Sequence, residues 1–145
     1  MTRVVLDTAV FVYAVGGEHP YREPCQAIVD RARLRSLSAS VSADLLQEFV
    51  HHRARRTGDR AEAVRQAGEI PSFCRVLDLT LADARTALEL FVKHERLHAR
   101  DAVFAAVALE RDIGHILSPD RAFDDVPGLA RVDPMDAGAV DALTG

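Results

Sequence analysis

Tryptophan is absent from these 145 residues, and aromatic side chains make up only 6% of them, so any core must be built mainly from Ala, Val and Leu. Cysteine is almost as scarce. Cys25 and Cys74 stand alone, with neither metal-ligand spacing nor a framework of bridges, and read as buried thiols in a reducing compartment. Long apolar runs are missing too. The first one stops at Asp7, too soon for the apolar region of a secretory signal, and the longest later one, at 102–109, is too short to span a bilayer. A cytoplasmic protein without a membrane segment is therefore expected. Excess positive charge is also lacking: 22 acidic residues stand against 18 basic ones, for a formal charge of −4. That balance argues against a general nucleic-acid coat. It does not exclude nucleic acid, because carboxylates gathered around a metal are neutralised locally.

What is present is an alternation. With 48% apolar and 28% charged residues, the composition is that of a globular protein, and the length suits one domain over 1–145. Strands are predicted at 3–6, 37–42, 74–79 and 115–118, with an edge strand at 130–133. Between them, helical spacing appears at 8–15, 24–34, 43–55, 60–67, 81–93 and 100–112. Ser42 and Thr80 are read as caps of the helices that follow them. The helix after Thr80 is expected to turn Leu81, Ala84, Leu88, Phe91 and Val92 inward. Strands alternating with helices predict an α/β fold whose short, mainly parallel sheet is covered on both faces.

In such folds ligands bind outside the carboxyl ends of the strands. Four carboxylates fall there. Asp7 ends the first strand, Asp120 follows the strand at 115–118, and Asp101 opens the helix leading into it. Glu48 lies in the helix after 37–42, about 9 Å along its axis from the cap. Each alone has an ordinary reading: a cap, a dipole partner, a turn residue, a snorkelling glutamate. Four converging carboxylates cannot all stay ionised without a cation, since a pair about 4 Å apart repels by roughly 4 kcal/mol at a surface-like dielectric constant. Oxygen ligands without cysteine suit Mg²⁺ or Mn²⁺, and carboxylate-held metals suit phosphodiester cleavage.

The pieces VVLDTAVFVYA, the Glu of LLQEFV, ARDAVFAAVALERDIGHILSPDRAFDDVPGL and the closing RVDP resemble the PIN-domain ribonucleases of the VapC toxin type, in the right order over almost the whole chain. The resemblance implies a three-layer α/β/α sandwich and a Mg²⁺- or Mn²⁺-dependent endoribonuclease. Its catalytic acids fall on Asp7, Glu48, Asp101 and Asp120, with Asp7, Asp101 and Asp120 as metal ligands. Thr8, Ser118 and Asp124 match supporting positions. Ala9 departs from the pattern, where many members carry Asn. A cognate antitoxin, a homodimer and an RNA substrate of the tRNA or ribosomal class are implied as well. The alternative within the family is a housekeeping nuclease with no antitoxin, or a scaffold that binds RNA without cutting it.

Two motifs compete for the same residues. HERLH at 94–98 fits the H-E-x-x-H pattern of zinc metalloproteases, with His94 and His98 as ligands and Glu95 as base. Glu48-x-x-His51 with Glu95-x-x-His98 resembles the paired motifs of di-iron bundles, which the strand signals oppose. Arg53, Arg55, Arg56 and Arg60, with Arg121 beside Asp120, are positioned to meet phosphates, although a solvated helix face explains them equally well.

Overall fold

Val4, Val5 and Leu6 have no exposed surface, and the strand they form, β1 (Arg3–Leu6), is the middle of the sheet. A strand covered on both faces reads as an unbroken apolar run, and this one does. A computed structural model describes residues 1–144. After β1 come α1 (Thr8–Val15), α2 (Arg22–Arg33), β2 (Ser38–Ser42), α3 (Leu45–Thr57) and α4 (Arg60–Glu69). Next are β3 (Arg75–Leu77), α5 (Leu81–Lys93), α6 (Ala99–Leu109), β4 (His115–Leu117), β5 (Ala130–Val132) and α7 (Ala137–Thr144).

The five strands form one sheet in the order β3-β2-β1-β4-β5, and every pairing is parallel. The chain first steps outward from β1 to β2 and β3, then returns to the other side of β1 for β4. Right-handed crossovers place α1–α4 on one face and α5 and α6 on the other, which gives the expected three layers. The direction of winding reverses at β1, so a crevice opens at the carboxyl ends of β1 and β4. Phe49, Phe104 and Phe123 are the largest side chains with almost no exposure, among many Ala, Val and Leu. Cys25 and Cys74 are buried free thiols.

Several local expectations are corrected. The strand predicted at 74–79 is only three residues long, whereas β2 is the longest in the sheet. Ser42 does not cap α3. It is fully buried and donates to the Asp44 carboxylate, while Asp44 takes the N-cap position. The largest correction concerns α5. Leu81, Leu88, Phe91 and Val92 are exposed, at 49–81% of their surface, and the buried positions are Asp83, Ala87 and Leu90. The reason is an ion pair that helical periodicity does not reveal. Arg111 donates to both carboxylate oxygens of Asp83, at 2.9 and 3.0 Å, and Asp83 closes a capping box with Thr80. Together these turn the Asp83 face inward. Helix α7 was not anticipated; Asp136 caps it by accepting from the Ala139 N–H at 3.0 Å.

Candidate active site

Asp7 stands where β1 gives way to α1, yet its side chain makes no capping hydrogen bond. It is 6% exposed and turns instead toward β4, where the Ser118 hydroxyl donates to its Oδ2 at 2.6 Å. The same Ser118 oxygen accepts from the Asp120 N–H at 3.0 Å. One buried hydroxyl thus ties the ends of two neighbouring strands together and orients the carboxylate between them. Asp120 in turn accepts from the Ala122 N–H at 2.9 Å, which starts a short 3-10 turn, Arg121–Asp125.

Glu48 reaches the site from α3. Because that helix begins at Leu45, Glu48 lies in its first turn, nearer the sheet edge than the sequence spacing suggested. The Thr8 hydroxyl donates to Glu48 Oε2 at 3.1 Å and fixes its direction. Asp101 is half-buried in the first turn of α6. Asp7, Thr8, Glu48, Asp101 and Asp120 line one cleft of about 760 Å³, and Ala9 lies among them. All four predicted acids are therefore brought together, with Thr8 and Ser118 supporting them. Asp124 is not in the cleft. It is exposed and pairs with Arg131 at 2.9 Å, and Arg131 donates to the Ser118 carbonyl at 3.0 Å, so Asp124 reaches the site only through two other residues.

The electrostatics mark the group as unsatisfied. Burial pushes the Asp7 carboxyl up to about 6; the Ser118 hydrogen bond opposes this, and the charges of Glu48 and Asp120 add to it. Asp101 is pushed up to about 8, first by burial, then by the charges of Asp7, Asp120 and Glu48, with Asp120 also hydrogen-bonding its protonated form. No arginine or lysine among these causes relieves either group. Among the described residues, no three His, Cys, Asp or Glu side chains stand close enough to share an ion as they are. The donor chemistry nonetheless fits a hard divalent cation: oxygen ligands only, one buried and three half-buried, on elements that present them from different directions.

The competing motif does not assemble. His94 caps the end of α5 and His98 the start of α6, both with extended backbone, so they do not share a helical face. The parallel sheet removes the di-iron bundle. Of the predicted phosphate-facing arginines, Arg53 and Arg56 line the cleft; Arg55, Arg60 and Arg121 do not. The sequence reading missed Tyr13, His19, Tyr21 and His52, which also line it. His52 sits one helical turn beyond Glu48 and Arg56 a second turn beyond that, so the spacing from Glu48 was the available signal.

The family model for the PIN domain matches residues 4–129. Ribonuclease VapC7 of Mycobacterium tuberculosis is 40% identical over 143 residues, 97% of each chain. In structure the chain resembles M. tuberculosis VapC20, described as a sarcin-ricin loop cleaving toxin, with a TM-score of 0.66, 22% identity, and coverage of 78% of this chain and 86% of that one. It also resembles DNA-bound VapBC from Salmonella typhimurium, with a TM-score of 0.67, 22% identity, and coverage of 92% and 99%. Among the described residues no helix is long and apolar enough to cross a membrane. With fold, acidic cleft and sequence in agreement, the chain belongs to the PIN-domain family and, within it, to the VapC ribonucleases.

Proposed function

We propose that this protein is a Mg²⁺- or Mn²⁺-dependent endoribonuclease, the toxin of a toxin–antitoxin pair, acting in the cytoplasm on structured RNA of the tRNA or ribosomal class. The observation that carries the reading is that Asp7 and Asp101, both raised, share one cleft with Glu48 and Asp120, and that none of the four is ion-paired among the described residues. Asp7, Asp101 and Asp120 would hold the ion. A divalent cation held there would make a nearby water easier to deprotonate and would neutralise charge on the phosphoryl and leaving oxygens.

The chain's own residues do the positioning. Ser118 keeps the Asp7 carboxylate aimed across the end of β4. Thr8 occupies Oε2 of Glu48, which leaves Oε1 to accept a proton from the attacking water. The names of the relatives support the ribonuclease reading, and the name of VapC20 supports ribosomal RNA as one substrate class. Structures of like fold solved as toxin–antitoxin complexes support an antitoxin partner. The homodimer implied by the resemblance belongs to the same proposal, and light scattering at micromolar concentration tests it.

The direct test is cleavage of total RNA by the purified protein. Mg²⁺ or Mn²⁺ is expected to support cleavage and excess EDTA to abolish it; full activity in EDTA overturns the metal reading. Co-expression with the neighbouring gene product separates the toxin from a housekeeping nuclease. The toxin arrests growth alone and is silenced by its partner, whereas a housekeeping enzyme does neither.

A further inference from the structure

We propose that Tyr13, His19 and Tyr21 form a stacking platform for an unpaired RNA base beside the scissile phosphate, with Arg53 and Arg56 holding the sugar–phosphate backbone in the same cleft. This rests on the nuclease reading of the acidic end and adds to it the part of the substrate that the cleft recognises.

The ring geometry carries it. Tyr13 and His19 have centroids 4.5 Å apart with planes 26° from parallel, and Tyr13 and Tyr21 are 5.4 Å and 26° apart. His19 and Tyr21 are 5.9 Å apart and 19° from parallel. Two rings stacked on opposite faces of a third would be about 7 Å apart, at roughly 3.5 Å per contact. The separation of His19 and Tyr21 is shorter, so no ring is sandwiched between the other two. Each keeps a face that its companions do not cover. All three line the cleft that holds the acids.

The placement also departs from how this chain uses five of its six phenylalanines, Phe91 on α5 being exposed. Phe11, Phe49, Phe73, Phe104 and Phe123 are buried in the core. The two tyrosines of the whole sequence stand together on the cleft wall. On α1, Tyr13 lies five residues beyond Thr8, about 7.5 Å along the axis from it. Gly16 then turns the chain sharply: a Cβ there would meet the Val12 carbonyl oxygen at 2.9 Å. That turn brings His19 and Tyr21 back beside Tyr13.

The platform is held before any ligand arrives. The Tyr21 N–H donates to His19 Nδ1 at 3.1 Å, and the Tyr21 hydroxyl donates to Asp133 Oδ2 at 3.0 Å. Arg131 donates to the same Asp133 oxygen at 3.3 Å and to the Ser118 carbonyl at 3.0 Å. Tyr21 is thus connected to the residue that orients Asp7. Rings fixed in advance lose little freedom on binding. Every base has a π-face, and aromatic stacking of single-stranded bases is strong and tolerant of sequence. A duplex keeps its bases stacked on one another, so the platform selects a base outside a helix.

The test uses a single-stranded RNA whose cleavage site has been mapped, then the same RNA with an abasic ribose at each position flanking the cut. In the wild-type protein with Mg²⁺, one flanking abasic position is expected to lower kcat/KM by about ten- to a hundred-fold. In His19→Ala and Tyr13→Leu, each checked by thermal melt, that penalty is expected to shrink to a few-fold, because the platform is already gone. Tyr21→Phe keeps the ring, loses only the Asp133 contact, and is expected to lie between. Equal abasic penalties in wild type and ring variants overturn the proposal. So do ring variants that cut RNA normally but lose a co-expressed protein partner, since the rings are then a protein-docking surface. If the wild type cuts no RNA, the nuclease reading fails and the platform is judged by binding. Quenching of a 2-aminopurine RNA that His19→Ala abolishes supports it, and quenching that survives the substitution overturns it.

Discussion

Two aspartates occupy the same kind of place and live opposite lives. Asp83 and Asp101 each sit in the first turn of a helix, α5 and α6, and these helices pack against each other. Asp83 is 1% exposed, but Arg111 grips both its oxygens and Thr80 completes a capping box around it. Although burial works against it, these partners bring its carboxyl below the usual range. Asp101 is half-buried with no ion-pair partner, and burial together with the charges of Asp7, Asp120 and Glu48 pushes it up to about 8. Burial raises both carboxyls and is the largest cause at Asp101; what parts them further is what stands opposite. A buried carboxylate with a guanidinium is part of the fold. One facing three further acids has no such partner and stays raised. The sharpest way to break this contrast is to neutralise each aspartate in turn and ask which loss follows.

Asp101→Asn carries the largest expected effect. It preserves shape while removing one charge from the quartet. RNA cleavage in Mg²⁺ is expected to fall on the order of 100-fold or more, as for loss of a group stabilising transition-state charge. The thermal melt without metal should not fall. A variant that cuts RNA at the wild-type rate would remove Asp101 from the site.

Asp83→Ala should show the reverse. It leaves Arg111 only the carbonyls of Val107 and Asp78, and breaking such a pair costs about 3 kcal/mol, the lower end of the usual range because Arg111 is partly exposed. The expected outcome is a clear loss of stability in urea with cleavage per folded molecule unchanged. A drop in turnover at full folding would mean that the α5–α6 contact positions Asp101, and the two aspartates would not be independent.

Ser118→Ala probes the hydroxyl that serves two strand ends at once. Asp7 loses its 2.6 Å hydrogen bond while keeping its place on the backbone. Supporting contacts of this kind are worth about 10- to 100-fold in metal affinity or activity. Cleavage should fall by about tenfold, with higher Mg²⁺ restoring part of it. Ser118→Thr, which keeps the hydroxyl, should fall less.

How far the sequence revealed these roles follows from the same contrast. That the four acids meet in one cleft was legible because strand ends could be read from apolar runs: Asp7 and Asp120 fall beside them, and Asp101 and Glu48 lie near the starts of helices at the same edge. Asp7, Asp101 and Asp120 needed no knowledge of side-chain packing. The role of Asp83 was not legible, because its partner is 28 residues away and no local pattern pairs them. That one pair reversed the expected face of α5 and left Leu81 and Leu88 outside. The tyrosine platform was hidden for a related reason. Periodicity ends with α1, and the path of the chain after Gly16 is set by contacts with Asp133, more than a hundred residues on.

The smallest expected effect is on stability against pH, and it distinguishes the two aspartates in one experiment. In EDTA, Asp7 and Asp101 hold protons in the folded protein up to about 6 and about 8, against 3.8 for an ordinary aspartate. Between these limits the folded state binds protons that the unfolded chain has released, so stability must fall as pH rises. Their contribution is fully present below about pH 4 and is lost as pH climbs through 6 and then 8. Asp83 has the opposite sign. Its lowered carboxyl contributes stability above the unfolded value and loses it only as the solution turns strongly acidic. From pH 5 to 8 the quartet should therefore dominate the difference between wild type and Asp101→Asn. Without metal, the wild-type melting temperature should drop by a few degrees over that interval, while Asp101→Asn should drop less and melt higher at pH 8. Mg²⁺ competes with the same protons, so it should raise the wild-type melt at pH 8 more than at pH 5. A wild-type melt that falls no more from pH 5 to 8 than that of Asp101→Asn would mean that Asp101 holds no extra proton, and it would then be no more strained than Asp83.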